Sequence, residues 1–258
     1  MTIQMIVCGS RGSFPTYGDR YSVFGYDTSC YAFRCGSRGL IIDCGSGLGR
    51  ACGELKGCES IDILLSHVHY DHIMGLFDCR QFFETKKTVI YGNFESWQAE
   101  EKESGSLFSL MQLLPGEKKQ VKNGERYLLN SGFSVRFFPS NHGDQTSMIE
   151  VSAGNARLFY TGDYEAGEDT APFRHAENCD LFLFDGSYSP EDYPKYKGWG
   201  HSGWDRGAEI AEKYHVKKLV ITHHAPQYDD ESLLMQEKRI KTLFAPAVFA
   251  RQNDVYEL

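Results

Sequence analysis

Leu64-Leu65-Ser66-His67-Val68-His69-Tyr70-Asp71-His72 decides the reading of this chain. It continues the apolar run Ile61-Asp62-Ile63-Leu64-Leu65, which reads as a buried strand, and strand exits are where α/β proteins place their chemistry. In an extended exit, side chains alternate, so His67 and His69 point to the same side. A helical turn beginning at Asp71 would send Asp71 and His72 in from a new direction, so that four donors surround one small volume. Neutral imidazoles and a carboxylate suit borderline divalent metals. A polar loop with one capping aspartate is the plainer alternative. Three imidazoles and a carboxylate packed this densely at a strand end favour a metal site.

The order His-x-His-x-Asp-His resembles the signature of the metallo-β-lactamase superfamily. The resemblance implies a four-layer αββα sandwich of two mixed β-sheets flanked by helices, here one domain over residues 1–258, with a one- or two-metal site at one edge of the paired sheets. It also implies later ligands: an isolated His, an Asp after a strand and a final His. Ser140-Asn141-His142, Thr161-Gly162-Asp163-Tyr164 and Thr222-His223 supply them in order. By this resemblance His67, His69 and His142 hold one metal, Asp71, His72 and His223 hold a second, and Asp163 bridges. The donor set names zinc first, with manganese and iron also suited.

Toward the N-terminus, a strand over 3–8 leads into Gly9-Ser10-Arg11-Gly12-Ser13-Phe14-Pro15. This loop reads either as a phosphate cradle, with Ser10 beside substrate, or as an ordinary tight turn. A hairpin follows over 31–43, then Cys44-Gly45-Ser46-Gly47 and a short helix over 48–56. The phrases GSRGSFP, DTSC and IIDCGSG resemble phosphodiesterase-type members of the superfamily, in which the residue equivalent to Asp43 lies under the metals and supports their ligands. A turn-capping Asp is the alternative.

Toward the C-terminus, a helix is expected over 73–83 and a strand over 88–91. A helical insertion over about 94–120 then reads as a lid or a dimer surface. Further strands are expected around 133–139, 148–151, 157–161, 180–185, 218–222 and 247–250, with helices over 204–214 and 232–244. Gly200-His201-Ser202 precedes a helix and resembles the Gly-His-Ser-Thr element of ribonuclease Z and related phosphodiesterases. That resemblance makes His201 a candidate general acid, with Ser202 beside it; a helix N-terminal His bonded to backbone is the alternative. Asp71 and His201 are thus the candidate catalytic residues. Tyr164, Tyr188, Trp199 and Trp204 stand near these segments and either stack on a base or fill the core.

Composition bounds the rest. The 258 residues are ample for a sizeable core, and no stretch approaches the ~18 apolar residues of a membrane span. Eight cysteines without a Cys-x-x-Cys pair and no evident export signal point to reduced thiols and a cytoplasmic protein. The formal charge of −8 argues against a nucleic-acid partner, as do Glu95, Glu100, Glu101 and Glu103 in the insertion. The expected function is a binuclear metal-dependent phosphodiesterase acting on a small phosphodiester such as a cyclic nucleotide or cyclic sugar phosphate. Its alternatives are a carboxylic ester, thioester, lactone or lactam hydrolase on the same metals, a tRNA 3′-processing endonuclease-like activity, and a noncatalytic module. By analogy with relatives, a homodimer is expected.

Overall fold

The computed structural model describes residues 3–98, 116–143 and 145–257. Two seven-stranded sheets dominate it. The first contains β1 (Gln4–Gly9), β2 (Cys30–Cys35), β3 (Arg38–Ile42), β4 (Ser60–Leu64), β5 (Lys87–Gly92) and β6 (Glu117–Gln120), with β14 (Val255–Glu257) beside β1 at its outer edge. The second runs from β7 (Arg126–Leu128) through β8 (Ser134–Pro139), β9 (Ser147–Ala153), β10 (Ala156–Tyr160), β11 (Leu181–Asp185) and β12 (Leu219–Thr222) to β13 (Ala247–Phe249).

Period-two alternation explains the layers. Met5 and Val7, Leu40 and Ile42, and Leu181 and Leu183 join a cluster between the sheets. Their neighbours Ile6 and Ile41 pack outward with helix α1 (Leu48–Glu54), and Phe182 and Phe184 pack outward on the other side. That second outer layer contains α5 (Trp204–Lys213) and α6 (Asp230–Leu243), through Trp204, Ala208, Leu233 and Ile240. Asp229 caps α6 by accepting the Ser232 N–H at 3.0 Å, with Asp230 and Glu231 favourably placed in the first turn. The architecture is the expected αββα sandwich, and no helix among the described residues is long and apolar enough to cross a membrane.

Strand direction positions the functional edge. β3, β4, β5 and β6 are parallel, as are β10, β11, β12 and β13. β1 is antiparallel to β2 and β2 to β3, so β1 runs with β3; β8 runs with β10 by the same logic through β9. The C-terminal ends of β1, β3, β4, β8, β10, β11 and β12 therefore share one edge, and the segments carrying Asp43, His67 to His72, His142, Asp163 and His223 each follow one of them. Two contacts lock the sheets together there: the Ser147 N–H donates to the Ser66 carbonyl at 2.9 Å, and the Tyr31 and Thr222 hydroxyls share a short hydrogen bond.

Two expectations change. The helix over 73–83 is broken into α2 (Tyr70–Ile73), a 3₁₀ turn at Met74–Leu76 and α3 (Arg80–Glu84). The cause is tertiary: the His72 carbonyl accepts the Cys44 N–H at 2.7 Å and the Gly75 N–H donates to the Cys44 carbonyl at 3.0 Å, replacing intrahelical bonds. The insertion expected over 94–120 ends earlier, because residues 117–120 are β6 and extend the first sheet beside β5. Residues 94–98 are helical, and 99–115 lie outside the described residues. A short helix, α4 (Tyr193–Tyr196), was not anticipated.

Phe33 and Phe133 meet edge to face between the sheets, ring centroids 6.0 Å apart and both buried. Phe33→Ala is expected to destabilise the fold by about 3–5 kcal/mol through lost burial and a residual cavity. Urea unfolding should show a lower midpoint with an unchanged slope.

Candidate metal centre

The seven residues expected to hold metal converge. The donor atoms of His67, His69, His142 and Asp163 form one group and those of Asp71, His72, Asp163 and His223 another, each with its atoms within 4.8 Å of one another. Asp163 belongs to both, one oxygen to each. Its Oδ2 lies 3.5 Å from His67 Nε2 and 3.6 Å from His142 Nε2, while its Oδ1 lies 3.1 Å from His72 Nε2 and 3.2 Å from His223 Nε2.

The outward hydrogen bonds fix which nitrogen faces in. His72 Nδ1 donates to Asp43 Oδ2 at 2.8 Å, and His142 Nδ1 donates to the Gly200 carbonyl at 2.6 Å. The Ser66 hydroxyl donates to Asp43 Oδ2 at 2.7 Å and so accepts from His67 Nδ1 at 3.0 Å. The Ser187 hydroxyl donates to Asp185 Oδ1 at 2.7 Å and accepts from His223 Nδ1 at 2.9 Å. Each of these four rings thus turns its Nε2 inward, that of His223 to 3.1 Å from Asp71 Oδ2. His69 Nδ1 faces His142 Nε2 at 3.1 Å, so the two nitrogens share one proton or one cation.

The donor set fits such a cation on two further grounds. His67 Nε2, His72 Nε2 and Asp163 Oδ1 are buried without a hydrogen-bond partner, a rarity that asks for a ligand. Charge points the same way. Burial alone would raise Asp71 and Asp163, yet positive charge on the neighbouring imidazoles holds both well below the usual carboxylate range. Burial would likewise lower His72, yet Asp163, Asp71 and Asp43 hold it well above the ordinary imidazole value, so the acids draw positive charge to this point. Burial and the neighbouring His72 push His67 well below the ordinary imidazole value, keeping it neutral as a ligand must be.

Asp43 is the keystone under this group. Fully buried and at φ 55°, it accepts the Ser66 N–H at 2.8 Å, the Ser66 and Tyr160 hydroxyls at 2.7 and 2.9 Å, and His72. Its carboxylate is engaged by His72, Ser66 and Tyr160, beneath the gathered imidazoles. His223 also has a positive φ, 59°, directly after β12, a conformation uncommon for non-glycine residues. Gly12 must be small, since a Cβ there would meet the His223 ring at 2.3 Å.

His201 lies beside both groups. Its ring stacks on His223 at 4.7 Å, and its Nδ1 is 2.9 Å from Asp185 Oδ2 and 4.0 Å from Asp163 Oδ2. Burial opposes protonation, but Asp185 and Asp163 outweigh it and raise His201 to about 9. Asp185 was not singled out from sequence. It is fully buried and also accepts the Tyr164 N–H at 2.9 Å, so one carboxylate organises His201, His223 and the loop after Asp163. Its signal was a charged residue closing the otherwise apolar strand Leu181–Asp185.

Ser10, Ser202 and Tyr164, expected either behind the ligands or against substrate, are engaged within the protein. The Ser10 hydroxyl donates to the Ala250 carbonyl at 3.3 Å, and Ser10 is buried. The Ser202 hydroxyl donates to the Tyr164 carbonyl at 2.5 Å and accepts the Ala166 N–H at 2.9 Å, while the Tyr164 ring packs edge-on against Phe173. These residues hold loops in place. Nor is the loop after β1 a phosphate cradle: the N–H groups of residues 10–14 are already donated, that of Ser13 to Asp71 Oδ2 at 2.7 Å.

Comparison with known proteins agrees with this geometry. The probable metallo-hydrolase YhfI of Bacillus subtilis (strain 168) is 23% identical over 266 residues, covering 99% of this chain and 100% of that protein. Ribonuclease Z of Picrophilus torridus is 25% identical, covering 82% of this chain and 84% of its own. Among solved structures, the metallo-beta-lactamase fold protein YhfI from Bacillus subtilis superposes with a TM-score of 0.80 at 21% identity over 100% of this chain and 99% of that one. A diphosphatase from the PhnP family gives 0.74 at 19% identity over 100% and 98%. The profile of the beta-lactamase superfamily domain matches residues 38–224, and with two sheets, flanking helices and His/Asp groups able to bind metal at their shared edge, the chain belongs to the metallo-β-lactamase superfamily of metal-dependent hydrolases.

Proposed function

We propose that this protein is a binuclear metal-dependent phosphodiesterase acting on a small phosphodiester, cyclic ones included. The observation that carries the reading is the His201–Asp185 pair. It stands against the two groups built from the expected ligands, each of which has four donors without it, and with Asp163 and His223 it forms a third group of donors. Phosphodiester cleavage needs such a residue, because an alkoxide leaves poorly unless it is protonated as it departs. Attack on a carboxylic ester needs instead a site for a carbonyl oxyanion.

In this reading His67, His69 and His142 hold one divalent cation, Asp71, His72 and His223 hold the other, and Asp163 lies between them. Two such cations, zinc first by donor type, acidify water and neutralise charge on the non-bridging phosphoryl oxygens. The chain's own residues do the rest. Asp43 and Ser187 set the rings that bind, and the Ser13 N–H steadies Asp71. With Nδ1 engaged by Asp185, His201 presents Nε2 as the proton donor. Water adds to phosphorus, the P–O bond to the leaving alcohol breaks, and the His201 proton passes to the leaving oxygen. The products are a phosphomonoester and an alcohol, or one phosphomonoester from a cyclic substrate. A net charge of −8 weighs for a small substrate over a polyanion.

Metal-reconstituted protein is expected to hydrolyse bis(p-nitrophenyl) phosphate faster than p-nitrophenyl phosphate or p-nitrophenyl acetate. Asp163→Ala should lose both metal and turnover. Dominant acetate turnover would overturn the assignment in favour of an ester hydrolase.

His201→Ala is expected to retain its metals, measured by elemental analysis, and to lose about 10²–10⁴-fold in kcat on diesters with alkyl leaving groups. The loss should be much smaller with p-nitrophenolate, which needs no proton. Loss of a metal in this variant would make His201 a ligand instead.

A further inference from the structure

Of the four aromatic residues considered near the site, Trp204 and Tyr164 belong to the core. Trp199 is the opposite case: its side chain is 66% exposed, although burying an indole is strongly favourable. It is also held rigidly. The Glu165 carboxylate accepts the Gly198 N–H at 2.7 Å with Oε1 and the Gly200 N–H at 2.8 Å with Oε2, gripping the residues on both sides of Trp199. The Tyr193 hydroxyl steadies Oε1 at 3.1 Å. Gly200 has φ +88°, and a Cβ there would meet His142 Nδ1 at 2.2 Å, so this short loop has one available path.

A continuous line of rings joins this indole to the proton donor. Tyr188 meets His201 edge-on with centroids 6.3 Å apart, Tyr196 stacks on Tyr188 at 4.3 Å and 5°, and Trp199 stands edge-on to Tyr196 at 5.5 Å. Trp199 is also only two residues from His201, which keeps their Cα atoms within about 7 Å. The aromatic surface therefore flanks His201, which on the phosphodiesterase reading is the side from which the leaving alcohol departs.

We propose that Trp199, clamped by Glu165 and backed by Tyr196 and Tyr188, is a stacking platform for a planar heteroaromatic group on the leaving alcohol, so that the substrate is a nucleoside phosphodiester. A fixed, exposed indole offers a large contact face without an ordering cost on binding. Base-on-aromatic stacking tolerates any base, because each has a π-face. An aliphatic sugar phosphodiester would leave this surface unused. The inference rests on the phosphodiesterase reading for the placement of the leaving group.

The test uses the metal-reconstituted full chain with two phosphomonoesters differing only in the base, adenosine 5′-monophosphate and ribose 5-phosphate. Trp97 and Trp204 are buried, so Trp199 dominates the fluorescence open to acrylamide quenching. Adenosine 5′-monophosphate is expected to bind about tenfold more tightly than ribose 5-phosphate and to shield Trp199 from acrylamide. Trp199→Ala should abolish the difference while leaving ribose 5-phosphate binding intact, and Trp199→Phe should retain much of it. Equal affinities in the unaltered protein, or a base preference surviving Trp199→Ala, would overturn the platform. So would equal weakening of both ligands, which would mark Trp199 as structural. Turnover of bis(p-nitrophenyl) phosphate in the same preparations separates the two readings: turnover without base preference sinks the platform alone, whereas absent turnover sinks the phosphodiesterase.

Discussion

Buried imidazole and carboxylate atoms that face one another without hydrogen bonds are the constraint on which the rest of this structure depends. His67 Nε2, His72 Nε2 and Asp163 Oδ1 would each be costly to bury alone. The fold tolerates them because they are gathered where positive charge can satisfy all of them together. Around this point the ring orientations are over-determined, every outward Nδ1 being engaged by a carboxylate, a hydroxyl or a backbone carbonyl. The Nδ1 bonds stand behind these rings, and in front their Nε2 atoms face Asp71, Asp163 and His69.

That arrangement needs two sheets. Asp43 leaves the first and Tyr160 ends a strand of the second, yet the Tyr160 hydroxyl donates to the Asp43 carboxylate. Asp185, from the second sheet, does for His223 and His201 what Asp43 does for His72 and His67. Two buried carboxylates, one per sheet, thus organise the two flanks of the centre. The residues that fill the space between the sheets keep these anchors in register.

Much of this was legible in the sequence. The His-x-His-x-Asp-His run, the isolated His142 and the strand-end Asp163 and His223 carry their chemistry in residue type and position. The layers follow from the alternation of apolar residues along each strand. What stayed hidden depends on partners distant in the chain. Asp185 looks like any polar residue closing a strand until His201 is seen against it. Ser10 and Ser202 look like substrate contacts until Ala250 and Tyr164 are seen to engage them. The helix expected over 73–83 breaks at bonds to Cys44, which no local pattern encodes. β6 was missed because Glu117-Lys118-Lys119-Gln120 is a polar edge strand with no apolar signature.

Glu165 grips both neighbours of Trp199, and the Gly200 carbonyl receives the His142 proton. The loop is therefore a lever with its fulcrum at one carboxylate, an indole at one end and a metal-facing imidazole at the other. On the proposed reading, a substrate seated on the indole would bear on the His142 ring through these same few bonds.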